Sequence, residues 1–382
     1  MVIMQRNELE LALQRALAHS KIEIPAKARD NTIRNFFFSD AEVMEANENG
    51  KLLKLDLDVG KYCNLACDFC YVNTRDPDSD DYVAKTTTRI KHIIDEGVEL
   101  GLKTIKIVGA GEPFLFPELL TIVEYAHTAG VGSLVFTAAH VIGDDTLAKR
   151  IFKKIDVTGG EDLVQRLADL GASVIVKYMT FDDELQTKLV AQKGNRNDYA
   201  EVRDKGLLKF VATGFTDCYP TRLGVDSLVL DTTYTEARDI FSLFNKYNIF
   251  VLMKTPVNCG GTAINGAQDL ALQPEHAYQA AKSVYDYCLE KGIAMNVESP
   301  YFGGPTCSQL NHAMHIGDDS RVKACPGANV SLDHYEPGKL WEIWERNLER
   351  RKYLFSTSHV CPPRHGITMP ADFGREMQKR LF

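Results

Sequence analysis

Residues 61–71, which read Lys61-Tyr62-Cys63-Asn64-Leu65-Ala66-Cys67-Asp68-Phe69-Cys70-Tyr71, decide the fold of this chain. The three cysteines have the spacing C-x3-C-x2-C and follow an apolar stretch. With no fourth cysteine or histidine nearby, they cannot close a tetrahedral zinc site locally. They can bind three irons of a four-iron, four-sulfur cluster and leave the fourth iron open to a small ligand. A structural metal knuckle and three unrelated buried thiols are the alternatives.

The composition limits the class of protein. A chain of 382 residues is long enough for one large domain with appendages. No apolar run approaches the ~20 residues of a membrane span, and residues 1–30 lack the apolar segment of a signal peptide, so we expect a cytoplasmic protein that does not contact the membrane. A net charge of −8 argues against nucleic acid as a partner. Nine cysteines without an export signal favour metal ligation or chemistry over disulfides.

From residue 51 onward, short apolar runs alternate with amphipathic helices. The pattern predicts six strands, which begin near residues 52, 104, 132, 172, 224 and 249. Such alternation predicts an α/β fold with a parallel sheet that helices cover on its outer face. Parallel βα barrels place their chemistry in the loops that follow the strands, and the cysteine loop follows the first predicted strand.

A second motif, Ile107-Val108-Gly109-Ala110-Gly111-Glu112-Pro113, ends the second predicted strand. Small residues let a backbone approach a ligand closely, and a glutamate can pair with an ammonium group. A plain turn between strand and helix is the alternative.

The cysteine spacing and this motif resemble the radical S-adenosylmethionine (SAM) superfamily. The resemblance implies a partial (βα)6 TIM-like barrel, a four-iron, four-sulfur cluster on Cys63, Cys67 and Cys70, and SAM chelated by the open iron. An electron from the cluster then cleaves SAM to a 5′-deoxyadenosyl radical. It further implies that the SAM-contacting residues are Phe69 at the adenine and, at the methionyl end, Gly109, Ala110, Gly111 and Glu112. Ala110 stands where the family usually has glycine.

Lys177 ends the fourth predicted strand, where relatives often carry a serine that contacts SAM. It can pair with the carboxylate of SAM or with an acidic substrate, or it lines the barrel rim without a role in binding. His140 follows the third predicted strand at the same face, where a lone histidine has either a structural or a catalytic role.

The C-terminal region carries a further set of cysteines, Cys307 and Cys325 with the spacing C-x17-C, and then Cys361. With the intervening segment Lys339-Leu340-Trp341-Glu342-Ile343-Trp344, they resemble SPASM/twitch enzymes. A SPASM domain holds two auxiliary clusters and needs about seven cysteines, whereas a twitch domain holds one, so we predict a small C-terminal twitch domain with an auxiliary four-iron, four-sulfur cluster. Three buried structural thiols are the alternative.

Three cysteines leave the fourth ligand of the auxiliary cluster open. Cys259, His365 or the substrate can fill the position. Cys259 follows the sixth predicted strand, so it can instead donate a hydrogen atom to a substrate radical, which makes it our candidate catalytic residue. Its alternative role is that of a small residue in a Cys-Gly-Gly turn.

These assignments divide the chain into an N-terminal helical segment (1–50), a radical SAM partial barrel (51–260), and a twitch domain with its tail (261–382). We predict an enzyme that abstracts hydrogen from a small polar metabolite, such as an aminocyclitol, sugar or nucleoside, for oxidation, epimerisation or rearrangement. A flavodoxin- or ferredoxin-type donor supplies the electron. The alternatives are a maturase of a ribosomally made peptide and a non-catalytic iron–sulfur electron carrier. The motif at residues 109–112 argues against the carrier, which has no need to bind an amino acid moiety.

Overall fold

The structure is a computed structural model. It describes residues 2–18, 30–67, 69–70, 72, 80–190, 197–257, 272–293, 309–328 and 330–349. The described strands are β1 (Lys54–Asp58), β2 (Thr104–Gly109), β3 (Gly132–Thr137), β4 (Ser173–Lys177), β5 (Leu223–Leu228), β6 (Phe250–Lys254), β7 (Ala313–Ile316), β8 (Arg321–Lys323) and β9 (Asp333–His334).

The described α-helices precede, connect and follow these strands. They are α1 (Val2–Leu17), α2 (Asp40–Glu48), α3 (Asp80–Glu99), α4 (Leu119–Thr128), α5 (His140–Gly143), α6 (Asp145–Ile151), α7 (Gly160–Asp169), α8 (Asp183–Val190), α9 (Tyr199–Ala212), α10 (Ala237–Lys246), α11 (Pro274–Lys291), α12 (Gln309–His312) and α13 (Leu340–Arg346). None of the described helices is long and apolar enough to cross a membrane.

All nine described strands form one sheet, in the order β6-β5-β4-β3-β2-β1-β7-β8-β9. The strands from β6 to β1 are mutually parallel and stand in chain order. This confirms the predicted parallel βα arrangement. Because the six strands are parallel, all of them end at one edge of the sheet, which we call the carboxyl edge.

The two faces of the sheet have different chemistry, since successive side chains point to opposite sides of a strand. The outer face is apolar, and Leu55, Ile107 and Val135 pack there with the surrounding helices. The inner face carries charges: Asp56 on β1 and Lys106 on β2 are register partners and form a buried ion pair with 2.8 Å between Oδ2 and Nζ. The interior of the barrel therefore contains charged side chains.

The N-terminal segment closes the inner face near the start of the strands. The ring of Phe36 lies 5.8 Å from the ring of Phe250 on β6. The side chain of Asn31 donates to the carbonyl of Val251 (2.9 Å) and accepts from its N–H (2.8 Å). It therefore satisfies two backbone groups of β6, which is the last strand on that side of the sheet among the described residues.

Helix α2 was not anticipated from the sequence pattern. A capping box begins it, in which the Ser39 hydroxyl accepts from the Glu42 N–H and the Glu42 carboxylate accepts from the Ser39 N–H. The Ser-x-x-Glu spacing is the signal that could have revealed the helix.

The C-terminal strands continue the sheet from its β1 side. β7 lies parallel to β1, and β8 and β9 follow antiparallel. The predicted boundary at residue 260 falls within residues 258–271, which lie outside the described residues. The division into barrel and twitch domain therefore stays a prediction.

Candidate functional site

The predicted site residues of the barrel meet at the carboxyl edge. The cysteine loop follows β1, the motif at residues 109–112 ends β2, and Lys177 ends β4. Since neighbouring parallel strands end together, residues more than a hundred positions apart become neighbours here. The structure thus brings together the segments that the sequence predicted to cooperate.

Three hydrogen bonds from three different elements hold the cysteine loop. The Tyr62 carbonyl accepts from the Glu112 N–H at 3.1 Å, and the Ala66 N–H donates to the carbonyl of Val190 at 3.3 Å. Between them, the Asn64 side chain meets Nε2 of His140 at 2.7 Å. His140 is buried, so we assign it the structural role of positioning the loop.

The three cysteines lie in a largely apolar setting. Cys67 is buried, Cys63 and Cys70 are partly buried, and all three pack with one cluster of buried residues. The cluster consists of Leu65, Cys67, Phe69, Ala138, Met179, Leu189, Val190, Tyr199, Leu228 and Leu230. Burial, and then the neighbouring Cys67 and Glu112, raise the pKa of the Cys63 thiol to about 12. Iron binding at this loop would therefore release a proton from Cys63.

Within the described residues, no three His, Cys, Asp or Glu side chains are arranged to bind one metal ion together. A structural zinc site needs its ligands within roughly 2.3 Å of a single ion, whereas each cysteine of a cluster binds a separate iron. The described residues therefore argue against a knuckle that binds a single metal ion, and they do not bear on a cluster.

The motif after β2 packs directly on the cysteine loop. A Cβ atom on Gly111 would come within 2.1 Å of the Tyr62 carbonyl oxygen, so only glycine fits there. Gly109 has a φ of +127° and Ala110 a φ of +93°, a region that side chains rarely adopt. Ala110 thus carries backbone strain at the position where the family usually has glycine.

We expect Ala110→Gly to raise the thermal midpoint by about 1–2 °C, because relief of about 1 kcal/mol of backbone strain exceeds the entropy that glycine adds to the unfolded chain. Differential scanning calorimetry under anaerobic conditions measures the thermal midpoint. Ala126→Gly, inside helix α4, is the control and should lower the midpoint by a similar amount. A lower midpoint for both variants would contradict the strain at Ala110.

Glu112 joins the ends of β2 and β3. Its Oε1 accepts from the Thr137 hydroxyl (2.6 Å) and the Phe114 N–H (3.1 Å), and its Oε2 accepts from the Ala138 N–H (2.8 Å). Burial raises the pKa of this carboxyl, although the three hydrogen bonds oppose the shift. A carboxylate offers about four acceptor positions, so one remains for a ligand.

Lys177 points from the end of β4 toward the cysteine loop. Its Nζ lies 3.9 Å from Sγ of Cys67 and 5.0 Å from the centre of the Phe69 ring. Burial alone would lower the pKa of Lys177, but Cys67, Tyr199, Cys70 and Asp226 together raise it above its usual value. The side chain therefore carries a positive charge beside the cysteines.

The C-terminal cysteines are placed only in part. Cys325 is partly buried and lies two residues after β8. Because β8 runs antiparallel to β7, it leads Cys325 away from the carboxyl edge. Cys307, Cys361 and Cys259 lie outside the described residues. The auxiliary-cluster ligands and the role of Cys259 therefore stay predictions.

Two inward-facing charged residues at the carboxyl edge were missed by the sequence reasoning, Asp226 on β5 and Lys254 on β6. Each follows a hydrophobic residue in a predicted strand and precedes a hydroxyl residue, so a single charge in a buried strand was the available signal. A charged residue within a buried strand needs a partner, and here the partner lies on the neighbouring strand.

Comparisons with known proteins agree with this geometry. A family model described as the radical SAM superfamily matches residues 57–239. An S-adenosylmethionine-dependent nucleotide dehydratase of Selenomonas ruminantium is 28% identical over 107 residues, which are 28% of this chain and 37% of that protein. The alignment therefore spans little more than a third of that relative.

Two solved structures are similar in fold. Streptococcus suis SuiB bound to precursor peptide SuiA has 15% identity and a TM-score of 0.53, covering 90% of this chain and 77% of that one. Native anSMEcpe with bound AdoMet and the Cp18Cys peptide has 13% identity and a TM-score of 0.56, covering 87% of this chain and 96% of that one. With the parallel sheet, this likeness confirms the predicted α/β partial-barrel fold class.

Proposed function

We propose that this chain is a radical SAM enzyme, in which the loop at Cys63, Cys67 and Cys70 binds the radical-generating cluster and residues 109–112 bind SAM beside it, because a radical SAM family model matches residues 57–239. One observation carries the proposal: the Glu112 N–H donates to the carbonyl of Tyr62, which couples the two motifs at one edge of the sheet. The site then acts as one unit rather than as two independent loops.

The residues at this edge fit both groups. Three cysteines on one anchored loop match a cluster that keeps one iron open. Gly111, whose Cβ position is filled by the Tyr62 carbonyl oxygen, keeps the backbone close to the loop, and Glu112 retains an acceptor position for an ammonium group. When bound, the cluster and SAM supply a 5′-deoxyadenosyl radical that abstracts a hydrogen atom from the substrate.

Each of the site residues then has a defined role. Glu112 holds the ammonium group of SAM while its other contacts keep the ends of β2 and β3 together. Lys177 offsets the negative charge of the thiolates, and its ammonium can meet the SAM carboxylate or an acidic substrate. Phe69 offers an aromatic face to the adenine. The apolar cluster around the cysteines limits access of water to the reacting atoms.

For the substrate we retain a small polar metabolite, such as an aminocyclitol, sugar or nucleoside, and an electron donor of the flavodoxin or ferredoxin type. The relative named as a nucleotide dehydratase supports this class only in that a nucleotide is a small molecule that contains a nucleoside. Modification of a ribosomally made peptide is the second candidate, favoured by the peptides bound in the two similar structures. The auxiliary cluster on Cys307, Cys325 and Cys361, and Cys259 as its ligand or as a hydrogen donor, complete the proposal.

Electron paramagnetic resonance of the reduced protein, with and without SAM, tests the assignment. We expect SAM to change the cluster spectrum of the wild type, because it binds the open iron.

Glu112→Gln should weaken SAM binding at least tenfold and leave the iron content unchanged, since the carboxylate contacts the ammonium group but no iron. The variant should also lose about 1–3 kcal/mol of stability, because an amide cannot accept all three hydrogen bonds.

The chain offers a matched control for that loss of stability. Glu236 accepts from the Thr180 hydroxyl (2.6 Å) and the Phe181 N–H (2.8 Å), the same clamp that Glu112 makes after β3. Glu236→Gln should cost comparable stability and leave SAM binding intact. Loss of iron in Glu112→Gln would make Glu112 purely structural, and a wild-type spectrum that SAM does not alter would favour the electron carrier.

A further inference from the structure

Three charged residues form a row across neighbouring strands inside the barrel. Lys177 on β4 and Asp226 on β5 are register partners, and Lys254 lies at the end of β6. The Lys254 ammonium approaches Oδ1 of Asp226 to 2.9 Å, and Lys177 approaches Cys67. The charges are therefore matched in pairs, Lys177 with the cysteine loop and Lys254 with Asp226, directly beside the proposed SAM site.

The Asp226–Lys254 pair differs from the other ion pair inside the barrel. Asp56 and Lys106 are buried, with side chains that are 0% and 6% exposed, respectively. In contrast, the side chains of Asp226 and Lys254 are 12% and 24% exposed. A pair that served only to neutralise charge within the sheet would not need this access.

Asp226 also retains capacity to bind. Its Oδ1 is buried and accepts no hydrogen bond from the described residues, because the contact with Lys254 has the distance of an ion pair but not the geometry of a hydrogen bond. The Lys254 ammonium neutralises this oxygen, and a carboxylate offers about four acceptor positions, so Asp226 can accept further hydrogen bonds. A bound hydroxyl group that donates to the carboxylate would fill one of these positions.

An aromatic ring completes the surroundings. The Lys254 ammonium lies 5.7 Å from the centre of the partly buried Phe136 ring on β3. Since β3 and β6 are not neighbours, the two side chains meet across the interior of the barrel. The pocket wall thus offers an apolar face beside a donor and an acceptor of opposite charge.

This combination suits one type of ligand. A hydroxyl group both donates and accepts hydrogen bonds, so adjacent hydroxyls can donate to Asp226 and accept from Lys254 at the same time. A ligand with a single net charge would have to compete with one member of the ion pair. The C–H face of a sugar or cyclitol ring can rest on Phe136.

We propose that Asp226 and Lys254 are the substrate-recognition residues of this enzyme and that they bind a vicinal diol or amino alcohol of a neutral or zwitterionic sugar, cyclitol or nucleoside. The inference rests on the proposed function, and it names the part of the substrate that the barrel recognises. Lys177 separates this pair from the cysteine loop, so the diol lies next to the reacting atoms rather than at them.

The test uses the reduced holoenzyme with SAM and four probes: adenosine, 2′,3′-dideoxyadenosine, streptamine and a synthetic serine- and cysteine-containing peptide. Saturation-transfer NMR measures binding, and chromatography measures 5′-deoxyadenosine formed above the rate without probe. We expect adenosine or streptamine to bind and stimulate, and dideoxyadenosine to bind at least tenfold more weakly. In the double variant Asp226→Asn, Lys254→Gln, the KM of the stimulating diol should rise at least tenfold while the KM of SAM changes less than twofold.

Two further variants separate recognition from structure. The exchanged pair Asp226→Lys, Lys254→Asp keeps opposite charges. It should therefore restore the thermal midpoint that the double variant loses, but it should not restore the wild-type affinity for the diol. Asp56→Asn, Lys106→Gln should lower the midpoint and leave the diol KM within twofold. The inference is wrong if the exchanged pair recovers affinity for the diol, or if the double variant loses affinity for SAM and for the diol together. It is also wrong if the wild type binds dideoxyadenosine as well as adenosine, or if it binds only the peptide or no probe. Absence of 5′-deoxyadenosine in the wild type would instead refute the proposed function, and NMR binding would still decide this inference.

Discussion

Replacement of Cys63, Cys67 and Cys70 together by alanine should remove about four irons per chain and reduce 5′-deoxyadenosine formation to background. In the proposed cluster each thiolate holds one iron, and the apolar residues that surround the loop cannot replace it. Iron analysis of the anaerobically reconstituted protein and chromatography of the SAM cleavage products measure the two effects. No other change in the described part of the chain should have a larger effect on activity.

The control for this variant removes two cysteines from other places. Cys288 is buried in helix α11, where burial raises the pKa of its thiol to about 12, and the Cys218 thiol faces the carbonyl of Pro220 at 3.4 Å. Both lie away from the carboxyl edge, so Cys218→Ala, Cys288→Ala should keep the full iron content and SAM cleavage. Retained 5′-deoxyadenosine production in the triple variant would refute the assignment of the cluster.

The fold was predictable because its signals are local. The six parallel strands appear in the sequence as short apolar runs, and the outer face of the sheet needs such residues for its contacts with helices. Helix α2 was missed because it is short and its main signal is a capping box rather than a repeated apolar face. The continuation of the sheet through β7 was missed because strands of two to four residues carry little periodicity.

The site was predictable only where its residues share a segment. The spacing of the three cysteines and the glycines around Ala110 are visible in the chain, but the contact between Tyr62 and Glu112 joins residues fifty positions apart. The role of Glu112 as a clamp on Thr137 likewise depends on which strands are neighbours. The same holds for Asp226 and Lys254, whose opposite charges meet only because β5 and β6 are adjacent.

The position of Cys325 affects what an auxiliary cluster can do. β8 leads this cysteine away from the carboxyl edge, whereas the cysteine loop and Lys177 lie at that edge. A cluster that includes Cys325 would therefore be built on a different part of the sheet from the cluster proposed at Cys63, Cys67 and Cys70. We expect the two clusters to be independent in assembly, which makes iron content a direct measure of each.

The wild type should accordingly carry about eight irons per chain, and a variant with alanine at Cys307, Cys325 and Cys361 about four, since each cluster contains four irons. This variant should still cleave SAM slowly, because its first cluster is intact, but it should not turn over substrate. The Cys218→Ala, Cys288→Ala protein again serves as the control, with about eight irons. A wild-type content of only about four irons would refute the twitch assignment.

Cys259→Ala then separates the roles proposed for that residue. Loss of iron would identify Cys259 as the fourth ligand of the auxiliary cluster, because the other three cysteines are unchanged. If the iron content is unchanged and electron paramagnetic resonance shows that a substrate radical accumulates, Cys259 is the hydrogen-atom donor, since the radical then lacks its quencher. If neither iron content nor turnover changes, Cys259 is a small residue in a turn, and the fourth ligand must be His365 or the substrate.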